Sequence, residues 1–198
     1  MKPARDSRGQ TLVAVVVTAA GAALLIGIGA RLMPLARSRS VEAAALGLAA
    51  QMRAAGVAAR GDGRSRGLVF PLDGDEPLRW AADGNGNGLR RREIDEKIDA
   101  AGPPFRIARD QPGVRIGRPA WTGVPDLPPS TRILSPEEPS VRFGSSRLAV
   151  FTALGRASPG SLFLTDGRQG LCAIRVSGPT ARLGVWCFDR KAARWRRR

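Results

Sequence analysis

Residues 11–30 read TLVAVVVTAAGAALLIGIGA, twenty consecutive positions without a charge, and the fate of this run decides what the rest of the chain can build. As an α-helix it spans roughly 30 Å, the thickness of a bilayer core. It reads either as a retained membrane segment or as the apolar region of a secretory signal, for which Ile28-Gly29-Ala30 offers a small-residue cleavage site to the ordinary signal peptidase. The flanking charges do not set its orientation. Lys2, Arg5 and Arg8 precede the run and Arg31, Arg37 and Arg39 follow it, a near balance under the positive-inside rule.

Toward the carboxyl terminus, Pro34 interrupts the run, and beyond it Val41, Ala45, Leu48, Met52, Ala55 and Ala59 recur at spacings of four and three, one apolar stripe of a helix. This pattern predicts a helix that bends near Pro34, where a backbone hydrogen bond is lost, and then runs to about Ala59. From Gly67 onward the chain changes to short strands punctuated by Gly and Pro: LVF at 68–70, LRW at 78–80, VRIG at 114–117, VRFG at 141–144, LAVFTALG at 148–155 and SLFLTDG at 161–167. CAIRVS and RLGVWCF flank Gly178-Pro179-Thr180 and form the clearest hairpin. Six of the fifteen prolines fall between 119 and 139, which reads as a surface loop. The stripe of the soluble helix needs a cover and the sheet supplies it, so the expected fold class is α+β.

Toward the amino terminus, the junction Arg8-Gly9-Gln10-Thr11-Leu12-Val13 is a short basic leader ending in Gly, followed at once by Thr-Leu and the apolar run. It resembles a type IV prepilin signal. In that family a prepilin peptidase cuts after the Gly on the cytoplasmic side, the new amino terminus is N-methylated, and the apolar helix stays in the protein. The resemblance places the cut between Gly9 and Gln10. Two positions depart from the family pattern: Gln10 stands where Phe is usual, and Ala14 stands where the family usually has Glu. A long amino-terminal helix lying on a carboxyl-terminal antiparallel sheet is also the pilin architecture. More closely, the chain is similar to the GspH/FimT family, the H-type pseudopilins of type II secretion and the FimT-type minor pilins. The carrying residues are the Ala-rich helix reaching Arg60 and the run VRFGSSRLAVFTALGRASPGSLFLTDG with Phe143, Gly155 and the strand from Gly160 to Leu164. The resemblance implies a leader at 1–9, a helix at 10–60 with its membrane part at 11–30, a periplasmic β-rich domain at 61–189 and a basic tail at 190–198. It implies a single pass of the inner membrane and other pilin-like subunits as partners.

Composition removes whole classes of chemistry. The chain of 198 residues has no His and no Tyr, so Ser-His-Asp triads, His acid/base pairs and His metal ligands are excluded. Its two cysteines, Cys172 and Cys187, are too few for a four-thiolate zinc site and too far apart for a CxxC redox pair. No carboxylate pair, phosphate loop or nucleophile site stands out, so the expected role is not enzymatic. The net charge of +15 comes from 32 Lys+Arg against 17 Asp+Glu, with only Lys2, Lys97 and Lys191 as lysines. That balance favours anionic partners; it is equally the imprint that a GC-rich genome leaves on a solvated surface.

Three constellations remain. Asp83-Gly84-Asn85-Gly86-Asn87-Gly88 has oxygen ligands at the first, third and fifth positions and Gly at the sixth, as a calcium loop requires. Its twelfth position is Ile94, with Glu93 one residue early and Asp95 one late, and Arg90 to Arg92 bring positive charge. Calcium and a plain Asx/Gly turn are the two readings. Centring the last hairpin on Pro179 and Thr180 pairs Val176 with Leu183, Ile174 with Val185 and Cys172 with Cys187. Directly opposed residues of antiparallel strands lie roughly 4.5 to 5.5 Å apart, which suits a disulfide, and an oxidising periplasm would form it. Finally, Arg190, Lys191, Arg194, Trp195, Arg196, Arg197 and Arg198 read as a basic tail with one aromatic, either a DNA contact in which Trp195 stacks on a base or a solvated stretch near acidic lipid or an acidic subunit.

The functional expectation is a minor pseudopilin, a structural subunit of the type II secretion pseudopilus involved in protein export, whose globular domain contacts neighbouring subunits or secreted cargo. The alternatives are a FimT-type minor pilin that engages DNA through the tail, and a secreted periplasmic binding protein freed by signal peptidase. No cofactor is expected apart from the calcium reading.

Overall fold

Helix α1, residues 40–62, carries the stripe read from the sequence: Val41, Ala45, Leu48, Met52 and Ala59 are buried, joined by Ala44 and Ala49, while Ala55 is partly buried against the same core. The helix ends where Gly63 takes a positive φ of 67°, the conformation that stops a helix and that Gly adopts without a Cβ penalty. This computed structural model describes residues 40–72, 77–135 and 137–198. The apolar run 11–30, Pro34, Ala14 and the Gly9–Gln10 junction lie outside the described residues. Among the described residues no helix is long and apolar enough to cross a membrane.

The described part is α+β, with two antiparallel sheets. The small one has the order β3-β2-β1-β6, from β1 (Arg66–Val69), β2 (Arg79–Ala82), β3 (Ala100–Ala101) and β6 (Leu148–Phe151). The large one has the order β10-β9-β8-β7-β4, from β4 (Arg115–Ile116), β7 (Gly160–Thr165), β8 (Leu171–Val176), β9 (Leu183–Asp189) and β10 (Arg194–Arg197). Strand β5 (Val141–Arg142) shares an edge of β7 with β4, pairing at Leu162 where β4 pairs at Leu164. The small sheet is closed by β1 against β6, with Arg66 opposite Phe151 and Val69 opposite Leu148. Two short helices, α2 (Arg91–Asp95) and α3 (Ile107–Asp110), sit between strands.

The main core joins the α1 stripe to both sheets through Leu68, Phe70, Phe151, Leu162, Ile174 and Val185. Strands β7 and β8 are buried on both faces, because Phe163, Leu171 and Ala173 turn the other way into a second core with Val124, Leu127, Leu134 and Trp195. The stretch 119–139, expected as a surface loop, is therefore a cover: its apolar residues lie on the outer face of the large sheet. Arg132 and Arg142 bridge Asp126 and Glu138, with Arg132 Nη1 to Glu138 Oε1 at 2.6 Å and Arg142 Nη1 to Asp126 Oδ1 at 3.0 Å. These pairs hold the cover in place together with one antiparallel bridge within it, Pro125 opposite Ile133, in which the Leu134 N–H donates to the Val124 carbonyl at 2.8 Å. The expected boundary at residue 189 also changes. Residues 194–197 pair with β9, so the expected tail is the edge strand of the large sheet, held by the buried Trp195 and by main-chain pairing.

Candidate functional site

The Asp83 loop leaves β2 and leads to α2. The Asp83 side chain is 3% exposed, and its Oδ1 accepts the backbone N–H groups of Asn85 (3.2 Å) and Gly86 (2.7 Å), while Oδ2 accepts that of Gly88 (2.8 Å). Gly86 and Gly88 take positive φ values of 83° and 94°, which bends the chain around the carboxylate. Asp99, 1% exposed, closes the loop from behind by accepting the N–H of Gly84 at 2.9 Å and of Arg90 at 3.3 Å. A Cβ at Gly84 would overlap the Ile98 carbonyl, so only Gly permits this approach.

The other proposed ligands face inward on one another. Asn85 Nδ2 donates to Glu93 Oε2 at 2.9 Å and Asn87 Nδ2 donates to Glu93 Oε1 at 3.1 Å. A carboxylate only accepts, so both amides must aim their nitrogens, not their oxygens, at Glu93. Asp95 is exposed on α2 and enters none of these bonds. Among the described residues no group of three or more His, Cys, Asp or Glu is placed to hold a metal ion. The arrangement is an Asx turn packed beside α2, over the outer core of the small sheet formed by Val69, Ala81, Leu89, Ile94 and Leu148. The sequence pattern found Asp83, Asn85, Asn87 and Glu93, which the structure brings together. It missed Asp99, whose partners are main-chain groups that leave no mark in a sequence.

Cys172 and Cys187 form a disulfide in the register expected, directly opposed on β8 and β9 with Cα atoms 4.0 Å apart. Both are buried in the main core.

The basic segment is organised differently from a solvated tail. Trp195 is 8% exposed, its ring lies 5.3 Å from that of Phe188 and 6.2 Å from that of Phe163, and its Nε1 donates to the Pro125 carbonyl at 2.8 Å. It cannot stack on a base while it fills that core. Arg190 lies over the Trp121 ring at 4.7 Å, Arg196 pairs with Asp189 at 2.7 Å, and Arg198 pairs with Glu42 of α1 at 3.1 Å. The Ala192 backbone N–H, with Arg196 nearby, holds the Asp189 carboxyl below the ordinary carboxylate range. Lys191, Arg194 and Arg197 remain exposed.

No family model, curated protein or solved structure matches the chain.

Proposed function

We propose that this chain is a pilin-like subunit, anchored in the inner membrane by residues 11–30, with its β-rich domain in the periplasm, and that it acts by assembly and not by catalysis. The observation that carries the proposal is the juxtaposition of a prepilin-like junction at Gly9 with a helix, α1, that lays an Ala-rich apolar stripe, with Val41, Leu48 and Met52, on antiparallel sheets. The buried Cys172–Cys187 disulfide supports an oxidising compartment.

The specific reading is a minor pseudopilin of type II secretion. Ala14 gives it a minor place. In pilin-like subunits a Glu at that position neutralises the terminal amine of the adjoining subunit inside the membrane, where an unpaired charge costs several kcal/mol. This chain donates an amine at Gln10 to a neighbour's Glu but returns no carboxylate, so it belongs at a filament tip or at isolated positions in a heteropolymer. A FimT-type minor pilin is the second reading, and the exposed basic residues of β10 are what favour it.

Mass spectrometry of the amino-terminal peptide tests the anchor: the expected peptide begins at N-methylated Gln10, and one beginning at Arg31 would replace this proposal with a secreted binding protein. A deletion strain scored for both protein secretion and surface pili separates the two filament readings.

A further inference from the structure

The large sheet ends at β10, whose outer edge is unpaired among the described residues. Arg198 N donates to Val185 O at 2.9 Å, which sets the phase of the ladder. Residues 194, 196 and 198 turn their main-chain groups toward β9, and Trp195 and Arg197 turn theirs outward. An open edge of this kind is a template for another strand.

The charge around that edge is one-sided. Six basic residues between 190 and 198 meet two carboxylates, Asp189 and Glu42. A second copy of β10 laid alongside would set Arg against Arg, which repels. A single-stranded nucleic acid binds best to an aromatic face open for stacking; Trp195 is buried with its Nε1 committed to Pro125, and the half-buried Trp121 is capped by Arg190 at 4.7 Å. What remains is a pair of outward peptide groups in line with cations, the arrangement that strand addition uses: main-chain bonds give affinity and flanking side chains give selectivity.

We propose that β10 docks an extended, acidic segment of a partner protein, which joins the large sheet as a further strand beside Trp195 and Arg197. The site lies wholly within the described domain and does not depend on residues 1–39, so it stands or falls separately from the filament reading.

The test uses the full-length protein in mild detergent and a short peptide alternating Glu and Val, with two controls: the same peptide N-methylated at every residue, and an oligothymidylate of equal charge. The peptide should bind with an affinity that falls with salt, and the Trp195 and Arg197 amides should gain protection from hydrogen exchange. N-methylation should weaken binding by about tenfold or more, as expected for lost main-chain bonds. Arg197→Pro removes an outward N–H that β9 does not use, and should weaken binding more than Arg197→Ala, which removes only the charge. If Arg197→Pro does not fold, the N-methylated peptide decides alone. Equal binding of the two peptides, tighter binding of the oligothymidylate, or no peptide binding at low salt would each overturn the proposal.

Discussion

Asp83→Ala removes the common acceptor of three backbone N–H groups. A net hydrogen bond to a charged group contributes about 1.5–3 kcal/mol when the donor is otherwise dry, and about 1 kcal/mol where water can replace it. Asn85 and Gly86 are exposed, whereas Gly88 is half-buried, so the expected loss is about 1 kcal/mol for each of the first two and about 1.5 for the third. Together this is about 3–4 kcal/mol, which at about 2–4 °C per kcal/mol for a domain of this size lowers the melting temperature by about 10 °C. Asp83→Asn keeps one carbonyl oxygen for Asn85 and Gly86 but turns an amide donor toward Gly88, so it should fall between the parent and Asp83→Ala. The assay is thermal unfolding of the full-length protein in detergent by circular dichroism, in EDTA and in millimolar calcium. The parent should melt at the same temperature in both, because the loop closes on its own hydrogen bonds. An Asp83→Ala protein that melts with the parent, or a parent that gains several degrees in calcium, would refute the reasoning.

Gly160→Ala should be among the most damaging single changes, by about 3 kcal/mol or more, because a Cβ there overlaps the Arg142 carbonyl and the Phe143 ring where β5 meets β7; protease resistance of the expressed protein reads it out. Replacing both Cys172 and Cys187 with Ser should cost about 3 kcal/mol for their separation of 15 residues, and reduction of the parent should give the same downward shift in denaturant midpoint. On acidification, burial pushes the Asp126 carboxyl up but the Leu127 N–H with Arg132 and Arg142 outweighs it, and the Arg132 hydrogen bond lowers Glu138, so both lie below the ordinary carboxylate range. Their contribution is therefore present above about pH 4 and lost as pH falls through the lower folded-state values; Asp126→Asn should flatten that acid limb of a stability–pH curve, and an unchanged limb would remove these pairs as its cause.

The parts of the fold that were legible in the sequence are those where side-chain pattern and burial coincide. The α1 stripe keeps a helical period because its other face is solvated, and the β8–β9 hairpin has a turn signal between two apolar runs, so even the pairing of Cys172 with Cys187 could be counted out. Strand β10 was not legible. Its sequence Arg-Trp-Arg-Arg shows no alternation, because as an edge strand it has one buried side chain and otherwise faces water. The stretch 119–139 is an irregular surface loop as its prolines suggest, but its role as a cover was not legible, because Val124, Leu127 and Leu134 are too sparse to signal that the loop is packed. At the Asp83 loop the acidic and amide residues announced themselves, yet the pattern says nothing of whether an amide presents its oxygen to an ion or its nitrogen to Glu93.

The pairing of β1 with β6 carries a consequence for how the domain is made. The chain enters the small sheet with β1, β2 and β3, leaves to lay down β4 and β5 in the large sheet, and returns only with β6. A chain made amino-terminus first presents Gly67, Leu68 and Val69 long before their partners from Leu148 to Val150 emerge. Closing so distant a contact is slow, and until it closes the β1 edge is open to the β6 of another copy. Helix α1, made first, carries the apolar face on which β1 can rest in the interval, so the order in which the elements are born favours the correct sheet over an exchanged one.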